Sequence, residues 1–313
     1  MKLHFAHIIN TVSPADNASL ERVQANTMKT MVVASESAKN KVVVDLLSAQ
    51  YEDARNFLPA EIKATTDLTT SAADQKELGT NKRLPLIREI LSRLEESSDA
   101  THFIYTNLDI CLMPFFYESV AGYIEKGHDA MVINRRRISD SFIEEKNLSE
   151  AFAESGKKHP GFDCFVFSRA LLKKFVLKDI YISTPPAGTD LFHNIFAFGE
   201  NPVLLTDKHL TFHIGMELVK DWGSPLLNKH NQSEFSKMLK ELKPHIDIAK
   251  FPGSEYYLLK RHFKWLMNPG LHYPTLASID FKQFSRKRKS IPKSETPGMR
   301  NRYLEWLFRV TGF

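Results

Sequence analysis

Residues 101–127, THFIYTNLDICLMPFFYESVAGYIEKG, decide how this chain is read. THFIYT is a short run of β-branched and aromatic side chains, the pattern of a buried strand, and NLDICLMP reads as the turn leaving it. FFYESVAGYIEKG then carries apolar side chains at helical spacing and stops at Gly127, as helices commonly do. DAMVINR, at 129–135, reads as the next strand. Asn107 and Asp109 therefore stand where a buried strand gives way to a loop. In an open α/β sheet that carboxyl edge is where loops converge on a ligand crevice, and strand alternation would put both side chains on one side.

The flanking sequence repeats this alternation. HFAHIINTV (4–12) and KVVVDLL (41–47) read as strands, with SLERVQANTMKTMVVAS (19–35) as the helix between them. Residues 52–80 carry no clear period and are rich in small polar side chains, so they are expected to form a mostly exposed connection. RLPLIREILSRLEES (83–97) places Leu84, Ile87, Leu91 and Leu94 on one face, with Pro85 in its first turn. Further on, DCFVFS (163–168), DIYIS (179–183), PVLLT (202–206) and LTFHIG (210–215) read as strands, and RALLKKF (169–175) and TDLFHNIFAFG (189–199) as helices, the first capped by Ser168.

Helix and strand periods alternate to about Trp222. Beyond it, FSKMLKELKPHI (235–246), EYYLLKRHFKWLM (255–267) and NRYLEWLFRV (301–310) are helical and aromatic. The expected division is an α/β catalytic domain over 1–222 and a helical, basic appendage over 223–313.

Composition narrows the partners. The 313 residues carry a formal charge of +5, and much of the excess sits in Lys282, Arg286, Lys287, Arg288, Lys289, Lys293, Arg300 and Arg302. That cluster suits an anionic membrane or a polyanionic acceptor. The α/β pattern of the first 222 residues argues against nucleic-acid binding as the sole function. Two cysteines, Cys111 and Cys164, both in apolar segments, indicate no disulfide framework. No stretch is apolar enough to span a membrane, and the N-terminus is too interrupted for a signal peptide. The expectation is a cytoplasmic protein with peripheral contact at the inner face of the membrane. A glycine-rich phosphate loop, a dinucleotide fingerprint, zinc spacing and a nucleophile elbow are all missing, which weakens kinase, nucleotidyltransferase, dehydrogenase, metalloprotease and hydrolase classes.

The motif Asn107-Leu108-Asp109, in that context, resembles the glycosyltransferase-A fold, in which a D-x-D motif at the end of a central strand holds a metal and the diphosphate of a nucleotide sugar. HIGMELVKDW, with His213, Gly215, Lys220 and Trp222, is similar to the H-x-x-G-x-x-K-P-W element of glycogenin-like enzymes, although its spacing differs. The resemblance implies a mixed sheet flanked by helices, Mn²⁺ or Mg²⁺ as cofactor, and transfer of a hexose-type unit from a nucleotide diphosphate sugar to a carbohydrate or lipid-linked acceptor. It places Asp109 and His213 on the metal with Asn107 assisting, and Arg83 and Lys220 on the diphosphate. The first strand's end, at Asn10, Thr11 and Val12, falls where the fold contacts base and ribose, with Asp45 a second candidate.

Residue chemistry adds to this list. Guanidinium groups pair with phosphates, so the run Asn134-Arg135-Arg136-Arg137 after a strand is a candidate for donor phosphate or an acidic acceptor. Asp163 and Asp190 each follow a glycine by two residues and are expected on turns, where a carboxylate could act as general base on an acceptor hydroxyl. Whether configuration is retained or inverted stays open. So does a catalytically silent relative that binds sugars or a partner.

Overall fold

A computed structural model describes residues 2–14, 17–144, 148–215 and 224–252. Nine strands form one mixed sheet: β1 (Leu3–Asn10), β2 (Val42–Ala49), β3 (Lys63–Ala64), β4 (His102–Thr106), β5 (Cys111–Leu112), β6 (Ala130–Ile138), β7 (Lys157–Ser168), β8 (Pro202–Leu205) and β9 (Thr211–Ile214). Their order is β3-β2-β1-β4-β7-β6-β9-β5, with β8 also on β6. β3, β2, β1 and β4 are mutually parallel, β7 runs antiparallel between β4 and β6, and β6 is parallel to β8 and β9. The carboxyl ends of β1, β2, β4, β6 and β9 and the amino end of β7 consequently share one edge.

The central strands are buried on both faces, so their apolar residues alternate between two cores. Phe103, Tyr105, Val132, Phe165 and Phe167 pack under α2 (Ile87–Ser97) and α6 (Thr189–Phe198). Ile104, Met131, Ile133, Cys164 and Val166 pack under α1 (Ala18–Ala38) and α3 (Phe116–Glu125). Short helices α4 (Leu148–Ala153) and α5 (Arg169–Leu172) border the sheet. Both cysteines are buried and unpaired, Cys164 within the second core. The expected α/β mixed sheet flanked by helices is what the chain forms.

A seventh helix, α7 (Pro225–Leu242), seats Phe235, Met238, Leu239 and Leu242 in the first core, beside Phe251. The helices expected at 255–267 and 301–310, the basic cluster from Lys282 to Arg302, and Lys220 and Trp222 lie outside the described residues. Among the described residues no helix is long and apolar enough to cross a membrane.

Several elements differ from their sequence reading. DIYIS forms no strand: Tyr181 makes one isolated bridge to Leu86, and the buried Asn231 side chain satisfies both Tyr181 backbone groups, at 3.0 and 2.8 Å. Its apolar pattern reflects burial between α2 and α7, not pairing. α2 begins at Ile87, because Leu86 is extended and the Pro85 carbonyl accepts from the Ile182 amide at 3.1 Å. The turn after β4 contains the short strand β5, paired with β9. The helix expected over 169–175 stops at Leu172. Finally, the connection 52–80 contains three short 3₁₀ segments and β3 and is largely exposed or half-buried, with Ala54, Ile62, Leu68, Ala72 and Leu78 among its buried anchors.

Candidate functional site

Five strands meet at the carboxyl edge, and there the structure joins side chains far apart in sequence. Asp109 leaves β4 through the Asn107-Leu108-Asp109 turn, and His213 is the third residue of β9. Their side chains meet with Nε2 of His213 3.2 Å from Oδ2 of Asp109. Burial opposes ionisation of Asp109, but the hydrogen bond and charge of His213, with Arg135 behind it, bring its carboxyl down to about 2. Asp109 is thus a carboxylate at any physiological pH.

The imidazole orientation carries more information. Nδ1 of His213 lies 3.3 Å from the Gly215 carbonyl, which can only accept, so Nδ1 holds a hydrogen. Nε2 is left to face the carboxylate oxygen, to which it donates when the two form an ion pair. With a hydrogen on Nε2 the contact is a charge-assisted hydrogen bond, and a metal ion could take that hydrogen's place. One carboxylate oxygen and one imidazole nitrogen side by side are donor types that a divalent ion can accept. Gly215 is required locally: its φ is +140°, and a Cβ there would sit 2.7 Å from Cε1 of His213. No cluster of three or more carboxylates, imidazoles and thiolates suited to a metal exists among the described residues. These two residues can hold an ion only in part.

Asn107 does not join them. The chain leaves the strand after Thr106, so alternation no longer governs where side chains go, and the Asn107 amide is occupied elsewhere. Its Nδ2 donates to Oδ1 of Asp163 at 3.1 Å, and its Oδ1 accepts from the Tyr105 hydroxyl at 3.2 Å. Asp163 is not on a turn but inside β7, and its other oxygen is paired with Nη1 of Arg135. This partly buried chain, Tyr105-Asn107-Asp163-Arg135, braces the turn that presents Asp109. Tyr105 also marks convergence of the acids: burial first, then the charges of Asp190, Asp109 and Asp163, push its phenol well above its usual range.

Asp190 stands in the first turn of α6, not on a loop, and is 1% exposed. Neither carboxylate oxygen has a hydrogen-bond partner. Burial raises its pKa to about 6, partly offset by the nearby backbone amides of Leu191, Gly188 and Asp190 itself. Gly188 lets the helix begin here: φ is +84°, and a Cβ would meet the Phe162 carbonyl at 2.8 Å. A buried, unpaired carboxylate that titrates near neutrality is suited to taking a proton.

The remaining candidates divide. Arg83 lies just beyond the carboxyl end of β2, over the Tyr51 ring at 4.1 Å and 2.9 Å from Asp53. It does not begin a helix, but it is at the right edge and half exposed. Thr11 is at the same edge yet buried, 2.5 Å from Ser48, while Asn10 donates to the Ala49 carbonyl at 2.8 Å. Asp45 is elsewhere: it binds His4 at 2.9 Å and Ser98 at 2.5 Å, toward the opposite edge, and is not part of the site. Sequence reading missed Tyr105. No local signal marks it, because its neighbours come from β7 and α6 only on folding.

No protein-family model matches the sequence, and no curated protein matches it. Solved structures do match. S. aureus TarS 1–349 in complex with UDP-GlcNAc is 14% identical, with 91% of this chain and 78% of that chain covered and a TM-score of 0.49. A second structure of S. aureus TarS 1–349 is 13% identical, with coverage of 93% and 79% and a TM-score of 0.48. At such values the likeness assigns no chemistry to this chain.

Proposed function

We propose that the chain transfers a sugar from a nucleotide diphosphate to an acceptor hydroxyl. The observation that carries this reading is the Asp109–His213 contact, a carboxylate and an imidazole brought together across 104 positions at the ligand edge of the sheet. A bound divalent ion would neutralise charge developing on the leaving diphosphate. Asp109 and His213 would hold that ion together with the donor's phosphate oxygens, as substrate phosphates do where the protein supplies few ligands. Arg83 is placed to add a charge-assisted bond to the same phosphates, and Lys220 is proposed for the same task. The end of β1, at Thr11, borders the place for base and ribose.

Asp190 would take the proton of the acceptor hydroxyl as its oxygen attacks the anomeric carbon and the bond to the diphosphate breaks. Above pH 6 the base is in its working form. The braced Asp163 keeps Asn107 and Arg135 in place and is not the base. The acceptor is a carbohydrate or lipid-linked, and the protein is assigned to the cytoplasm, with peripheral contact at the inner face of the membrane.

A second reading, a catalytically silent donor-binding protein, is favoured by one observation: the Asn107 amide faces away from the Asp109–His213 pair, leaving a two-residue set. Hydrolysis of a panel of nucleotide sugars with and without Mn²⁺ separates the two. Turnover lost on adding chelator and in Asp190→Asn supports transfer. Nucleotide binding with no turnover of any donor supports the silent protein.

A further inference from the structure

One polar side chain breaks the buried run of β6. Ala130, Met131, Val132 and Ile133 are each 0% exposed and apolar, as suits a central strand covered on both faces, and the next residue is Asn134 at 5%. Its Oδ1 is buried with no hydrogen-bond partner. An amide taken out of water and left unpaired costs folding free energy that a leucine of similar size would not. Alternation along β6 puts Asn134 with Ala130 and Val132, on the face that packs under α6. Its ladder partner is Phe162, whose ring stacks on Phe192 at 4.5 Å and whose carbonyl lies 2.8 Å from the place a Cβ of Gly188 would take. Asp190 stands between Gly188 and Phe192 in the chain. Asn134 and Asp190, both more than nine-tenths buried and both with unpartnered oxygens, therefore flank one phenylalanine. Three residues after Asn134, Arg137 is in register with His213, which sets the Asp109–His213 pair about 10 Å further along β6. Across the sheet β9 carries His213, β6 carries Asn134 and β7 carries Phe162. Asn134 is on the strand between the pair that would hold the ion and the carboxylate that would take the proton.

We propose that Asn134 reads the transferred sugar, its side-chain amide holding a ring hydroxyl or an acylamino group of the donor. This rests on the donor-binding part of the reading above. A sugar whose phosphate is at Asp109 and His213 and whose anomeric carbon faces Asp190 has to cross the end of β6. Two strand spacings, about 10 Å in all, separate β9 from β7, a span suited to a hexosyl phosphate. A hydroxyl both donates and accepts, so it satisfies the amide whichever way that turns, and an acylamino group also offers one donor and one acceptor. Asn134 carries no charge, and the adjacent Arg135 is already paired with Asp163, so the position selects a neutral polar group over a phosphate. A sugar lacking that group would leave the amide unpaired in the complex, and such a position discriminates more strongly than an apolar one.

The test uses the full chain and calorimetry with Mn²⁺ present, the probes being UDP-glucose, UDP-galactose, UDP-N-acetylglucosamine, GDP-mannose, and UDP or GDP alone. Asn134→Leu should weaken binding of the tightest nucleotide sugar about tenfold and leave binding of its nucleoside diphosphate unchanged. Its melting temperature without ligand should hold or rise, because a buried unpaired amide is gone. Asn134→Ala, which fits whatever the packing, should show the same split between the two ligands. Among monodeoxy analogues of that sugar, one should bind the wild type about tenfold more weakly than its parent, yet bind Asn134→Leu as well as the parent does. Such non-additivity marks a direct contact. Equal loss of nucleotide sugar and diphosphate in both variants, undiminished binding of the nucleotide sugar, or additive losses for every analogue overturns the proposal. Asn134-dependent binding with no turnover upholds the subsite and tells against transfer alone. A wild-type protein that binds none of these nucleotides tells against donor binding itself, so the failures are distinct.

Discussion

Two aspartate–histidine contacts sit at opposite edges of the same sheet, and only one of them makes a site. Asp45 meets His4 at 2.9 Å with side chains 36% and 30% exposed, and Ser98 shares the carboxylate. Asp109 meets His213 at 3.2 Å with side chains 35% and 6% exposed, and the ring's other nitrogen is committed to a carbonyl. The first is a solvated surface pair whose partners satisfy it, worth at most about 1 kcal/mol. The second sets a carboxylate against a buried imidazole, at the edge where five strands deliver loops. Residue type does not separate them. Sheet edge, burial of the imidazole and the fate of its second nitrogen do.

The largest effect expected from breaking this contrast is at Asp109. Asp109→Ala or His213→Ala should abolish Mn²⁺-dependent nucleotide binding, read by calorimetry, with the fold retained by circular dichroism. Asp45→Ala should leave that binding at the wild-type value. If Asp45→Ala lost binding and Asp109→Ala kept it, the contrast would be inverted.

Next is Asp190→Asn, expected to lower kcat by roughly 10² to 10⁴ while donor affinity stays. The wild-type rate should rise with pH through about 6 as Asp190 loses its proton. Stability moves the other way. A folded pKa raised from 3.8 to about 6 means a contribution fully present below pH 3.8 and lost as pH climbs through 6. Asp190→Asn removes the penalty, so it should gain up to about 3 kcal/mol near pH 7, visible as a higher melting temperature. A variant that loses both stability and donor binding would make Asp190 an ordinary core residue.

Asn107→Asp sharpens the comparison further, because it would turn the N-x-D turn into the D-x-D that the family resemblance prefers. Here the new carboxylate would face Oδ1 of Asp163 across the present 3.1 Å contact, losing a donated hydrogen bond and gaining like charge. The expected cost is about 1–3 kcal/mol of stability, with no gain in Mn²⁺ affinity. Tighter Mn²⁺ binding by this variant would put Asn107 on the metal after all. The smallest effect is at Arg83, whose ion pair with Asp53 is half exposed on both sides. Arg83→Ala should leave the melting temperature within error and weaken nucleoside diphosphate binding about tenfold, the loss of one charged hydrogen bond.

These particular residues show what was legible beforehand. The alternating elements, the Asn107-Leu108-Asp109 turn and the approach of His213 follow from periodicity and from where strands end, which are local properties. Asp163 and Asn107 misled because their roles depend on a bulged register between β6 and β7 that brings Arg135 alongside. DIYIS misled because a run of apolar residues buried against a helix looks like a strand, and only Asn231, fifty residues later, supplies its missing partners. Asp45 misled because a strand's polar residue carries no mark of which edge it will occupy. Long-range pairing decides each of these, and it is not written in any short window.

A crystal of the full chain grown with MnCl₂ and a nucleoside diphosphate, measured at the manganese absorption edge, tests the shared metal directly. The expected result is one anomalous peak about 2.0–2.6 Å from both Oδ2 of Asp109 and Nε2 of His213, with phosphate oxygens completing the shell. A nucleotide bound at this edge with no anomalous peak between Asp109 and His213, or a peak held by other residues, would contradict it.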